Sequence, residues 1–107
     1  MSIHFKQETI HDVVAALDPL THIKRPDGDN EGDPINSPSV YGSLSRSDQE
    51  KVDRAEQVLV NYLRQCGRRG VTEMNKRGYR ASFEQDAYDE TRLLGYVIVG
   101  EWELVIR

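Results

Sequence analysis

The chain has 107 residues, enough for one domain spanning 1–107 and too few for two ordinary ones. Its 37% apolar and 30% charged residues allow a modest core, and 14 Lys and Arg against 18 Asp and Glu give a net charge of −4, which excludes a globally basic nucleic-acid coat. One cysteine, Cys66, excludes an internal disulfide framework and a Cys-rich zinc site. No apolar run approaches the length of a membrane span and Met1–His4 does not open a signal peptide, so the expectation is a cytoplasmic protein with no membrane partner.

The pattern predicts an α+β fold: a short N-terminal helix, a long loop, and one main helix packed on a three-stranded antiparallel sheet. Ile10, Val13, Val14 and Leu17 recur at helical spacing, which predicts a helix over about 9–17 that Asp18-Pro19 should stop. Residues 18–46 hold all four prolines, three glycines and only six apolar residues, so they predict a long polar loop. Ile35, Val40, Tyr41 and Leu44 are the residues that could dock it.

A main helix is expected from about 48 to 66. Ser47 and Glu50 have the spacing of a capping box, and Val52, Ala55, Leu59, Tyr62 and Cys66 form its apolar stripe. Gly67 stands where a left-handed C-terminal cap belongs. A short helical piece over 72–77 would begin at Thr72 and stop at Gly78. Tyr79, Ala81 and Phe83 alternate with Arg80, Ser82 and Glu84, the period of a half-buried strand. Residues 93–99 are almost wholly apolar, so a central strand covered on both faces is expected. Gly100-Glu101 should turn it into a last strand with Trp102, Leu104 and Ile106 on one side. On this layout Leu59 and Tyr62 should pack beside Tyr96, Ile98 and Trp102.

Chemistry-bearing motifs are few. Asp27, Asp29, Glu31 and Gly32 approximate a calcium loop, but Pro38 stands where the bidentate glutamate belongs, and prolines 26 and 34 forbid the flanking helices. An acidic solvated turn is the simpler reading. His4, His11 and His22 lack ligand spacing and read as surface residues. Cys66 falls at a helix C-terminus, where the dipole opposes a thiolate, and reads as a packing residue. No phosphate loop, nucleophile elbow or HExxH is present. The expectation is no enzyme, no metal and no cofactor.

One feature stands out. Residues 64–80 carry six cations and one carboxylate between acidic flanks. Arg64, Arg68, Arg69, Lys76, Arg77 and Arg80, with Tyr79 as a stacking surface, form the candidate partner-binding site. Arginine forks suit phosphates and carboxylates, and Gly67 and Gly70 would let a partner approach the backbone. The competing reading is intramolecular neutralisation of 27–33 or 84–90, helped by the dipole at a helix C-terminus.

The leading expectation is a small intracellular regulator or inhibitor that docks on a larger protein or nucleoprotein, a profile met in accessory proteins of viruses and mobile elements. The alternative is a binder of RNA or single-stranded DNA through the same island, and a small ribonuclease ranks third for want of a base near the arginines. One long helix covers only one face of a small sheet, so the other face calls for the first helix, the long loop or a second chain, and a homodimer is one of these alternatives.

Overall fold

A computed structural model describes residues 7–26, 32–85 and 93–106. The element order is α1 (Ile10–Leu17), a 3₁₀ helix (Asp18–His22), α2 (Pro38–Tyr41), α3 (Arg46–Cys66), α4 (Arg68–Lys76), β1 (Arg80–Gln85), β2 (Leu93–Val99) and β3 (Trp102–Ile106). The sheet is antiparallel with order β1-β2-β3, so the expected α+β architecture is present.

Thr9 caps α1 in a reciprocal box with Asp12, each side chain holding the other's backbone N–H. Asp18-Pro19 ends the α-helical ladder at Leu17, as expected, but the chain does not leave the helix there. It tightens into the 3₁₀ turn, with the proline at its start, where the missing N–H breaks the i→i−4 ladder that α1 had built.

The segment between Asp18 and Arg46 is tied down more firmly than its composition suggests. Ile35 and Val40 are fully buried, Leu44 is buried, and Tyr41 packs against the core. The Ile35 N–H donates to the Glu103 carbonyl at 2.8 Å. Trp102 donates its indole N–H to the Ile23 carbonyl at 2.9 Å, and the Arg25 guanidinium lies 4.1 Å above its ring. The acidic turn at 27–31 lies outside the described residues.

The cap of α3 differs from expectation. Ser45, not Ser47, accepts from the Asp48 N–H at 3.1 Å. At the other end Gly67 has φ +56°, and its N–H returns to Leu63, so the expected C-terminal stop holds. The short helix expected to begin at Thr72 starts instead at Arg68, and Thr72 lies inside it with its hydroxyl on the Arg68 carbonyl. Gly70 permits this. A Cβ there would stand 2.8 Å from the Tyr62 ring and 3.1 Å from the Cys66 Cβ, so the glycine lets α4 close on α3.

Gly100, with φ +61°, opens the two-residue turn between β2 and β3 as its position predicts. The inner sheet face comprises Val97, Val99, Trp102, Leu104 and Ile106, all buried, with Ala81, Phe83 and Leu93 packed on them. They share one apolar cluster with Val13, Leu17, Leu59, Tyr62 and Leu63 from α1 and α3. β2 is central, but the expectation that both its faces are covered fails. Leu94 and Tyr96 are 37% and 42% exposed, and Ile98 points the same way. Leu59 and Tyr62 therefore share the core with Trp102, while Tyr96 and Ile98 lie across the sheet from them.

Candidate functional site

The basic island is built on the α3–α4 corner. Arg64 lies in the last turn of α3, Arg68 and Arg69 in the first turn of α4, Lys76 in its last turn, and Arg77 at its C-cap. All five side chains are exposed. Gly70 and Met74 turn inward and anchor α4, which leaves Arg69, Thr72, Glu73 and Lys76 at i, i+3, i+4, i+7 on the outer face. At 1.5 Å per residue the two cationic ends of α4 stand about 12 Å apart. The cations form a ridge, not a pocket.

Ion pairing within the ridge is slight. Lys76 Nζ lies 3.5 Å from Glu73 Oε1 in an exposed pair of the kind that adds little. Arg64, Arg68, Arg69, Arg77 and Arg80 make no ion pair among the described residues, although 27–31 and 86–92 lie outside them.

Two expected members do not join the ridge. Tyr79 is half-buried against the core, and burial raises its phenol above the ordinary value, with Asp18 adding to the effect and Arg77 opposing it. Its ring packs in part on the core, so only part of it is free for stacking. Arg80 is the first residue of β1 and pairs in register with Ile98, so it belongs to the open sheet face. Gly70 contacts α3 and offers no backbone to a partner. Cys66 is half-buried and packs on the core, as its place on the helix stripe implied.

Two asparagines escaped the sequence reading. The Asn75 side chain pairs with both backbone groups of Ala81, accepting from its N–H at 2.8 Å and donating to its carbonyl at 3.2 Å. Asn36 does the same for Val105 on the opposite edge, accepting at 3.1 Å and donating at 2.5 Å, and also donates to Glu56 Oε1 at 2.6 Å. Each amide stands in for a neighbouring strand on an edge that would otherwise invite pairing. A lone asparagine has no periodicity, so no pattern could have marked either one. Asn36 also borders a half-open cleft of about 360 Å³ between Pro34, Pro38, Glu56, Val60 and Val105. No group of three or more metal-ligating side chains occurs among the described residues.

No protein family, characterised protein or solved structure matches this chain, so the ridge is interpreted from its own residues.

Proposed function

We propose that the chain is a small, non-enzymatic cytoplasmic binding protein, a regulator or inhibitor, that docks on an acidic surface of a larger protein or nucleoprotein through the α4 ridge. The observation that supports this is the exposure of Arg64, Arg68, Arg69 and Arg77 without an ion-pair partner among the described residues. A guanidinium fork in that state is ready for a bidentate carboxylate or phosphate. The half-burial of Tyr79 against the core leaves the α4 ridge short of a stacking platform, which favours a protein surface over single-stranded nucleic acid there, because such platforms carry much of the affinity for unpaired bases.

The test compares the native chain with the double variant Arg68→Glu, Arg69→Glu. Immobilised native protein should capture a partner from extract of its host, with capture falling as salt rises, and the folded double variant should not. Equal capture by both refutes the ridge. Labelled RNA and single-stranded DNA are run beside it: salt-sensitive binding of either, lost in the variant, would move the assignment to nucleic acid, and cleavage would make it an enzyme.

A further inference from the structure

We infer that the open face of the sheet is a self-association surface, on which two copies of this chain stack face to face about a two-fold axis lying in the plane of the sheets. The face is apolar at its centre. Leu94, Tyr96, Ile98 and Val105 point away from the core, and none of them packs against it. Leu94 and Tyr96 are 37% and 42% exposed, large for such side chains on a central strand.

Side-chain amides already occupy part of both sheet edges. Asn75 occupies Ala81 on β1, and Asn36 with Ile35 occupies Val105 and Glu103 on β3. The apolar surface that this sheet offers a second copy is its open face.

Charge placement favours a second copy over an unrelated partner. The register sets Arg80, Ile98 and Glu103 in one row across the face, Ser82, Tyr96 and Val105 in the next, and Glu84 with Leu94 in the third. A two-fold axis running across the strands through Tyr96 sets Arg80 over the partner's end of β1, where Glu84 stands. An axis running along β2 sets Arg80 over Glu103. Either way the one described cation of the face meets a carboxylate of the other copy, twice by symmetry, with Tyr96 against Tyr96 at the centre. Aligned sheets at about 10 Å separation allow this interdigitation. The face is small, on the order of 300 Å² per copy from strand spacing and length. That is below a standard interface and fits a weak, reversible dimer. Arg80 then works apart from the α4 ridge.

The experiment is sedimentation equilibrium of the full chain from about 10 μM to about 1 mM, a range that spans weak association. The native chain should dimerise. Arg80→Glu should weaken association by about tenfold or more, since it puts like charges in contact. Adding Glu84→Arg or Glu103→Arg to that variant should restore it, and the rescuing partner identifies the axis. Tyr96→Glu should abolish the dimer while far-ultraviolet circular dichroism stays native, and Arg68→Glu with Arg69→Glu should leave it intact. A native chain that stays monomeric throughout overturns the proposal, as does a dimer that survives Tyr96→Glu, one lost on reversing the α4 arginines, or an Arg80→Glu defect that neither reversal rescues.

Discussion

Asn36 offers the sharpest test of how the polar segment is held. Its side chain makes three hydrogen bonds, two with Val105 and one with Glu56, while the neighbouring Ile35 N–H keeps its own bond to Glu103. Each bond is worth about 1 kcal/mol net. Asn36→Ala removes all three, but water can enter from the half-open cleft and satisfy part of what is left. The expected loss is therefore about 1.5–3 kcal/mol. Urea unfolding followed by fluorescence of Trp102, the single tryptophan, measures it directly. Asn36→Asp sharpens the test, because it keeps the shape and the acceptor for the Val105 N–H. The carboxylate then faces the Val105 carbonyl and the Glu56 carboxylate. Two carboxylates in one place push a protonation upward, so this variant should be weaker than Asn36→Ala at neutral pH. The folded state then binds a proton more readily than the unfolded one, and the deficit should shrink as the pH is lowered. A loss under about 0.5 kcal/mol for Asn36→Ala, below the range of one hydrogen bond, would refute the pairing. So would an Asn36→Asp variant of native stability at neutral pH.

Leu59 is fully buried at the centre of α3, so Leu59→Ala should cost about 2–5 kcal/mol in the same urea assay, and a loss under about 1 kcal/mol would place it outside the core. Ser45→Ala should cost about 1 kcal/mol through loss of the cap, whereas Ser47→Ala, inside the first turn, should stay within about 0.5 kcal/mol. Gly70→Ala should destabilise despite the better helix propensity of alanine, because the new Cβ meets the Tyr62 ring at 2.8 Å; a gain in thermal stability would contradict that packing.

What the sequence showed and hid has physical causes that differ by element. The stripe on α3 and the alternation on β1 were legible because one face of each is buried, and burial imposes a period. The α3 cap was not, because Ser45 with Asp48 and Ser47 with Glu50 offer the same local chemistry. Leu44 docks in the core immediately before Ser45, and that tertiary contact fixes where the helix begins. β2 misled for another reason. Its run of apolar residues carries no alternation, so it reads as covered on both faces. The information lay in its neighbours: Arg80, Ser82, Glu84 and Glu103 stand in register beside Ile98, Tyr96 and Leu94, and charged residues mark a solvent face. Of the candidate site, the exposed cations of α4 were legible from charge alone. The burial of Tyr79 and the separation of Arg80 depend on how α4 meets β1, which no local pattern encodes.

The dipole explanation for the cations loses most of its force once α4 begins at Arg68. Arginines that follow a helix C-terminus gain from its negative end, and Arg68 and Arg69 do follow α3. They also occupy the first turn of α4, where the positive end of a second helix opposes them by a similar amount, about 0.3–1 kcal/mol for each charge. The two effects largely cancel. Exposure and the lack of an ion pair among the described residues leave little stabilisation from other side chains. Lys76 and Arg77, in the last turn and at the C-cap of α4, are the exceptions, since only a favourable helix end lies beside them. A structural role thus suits Arg77 better than Arg68 and Arg69. The pair between the two helices gives the fold almost nothing that a neutral side chain would not, and the proposed docking surface is centred on it for that reason.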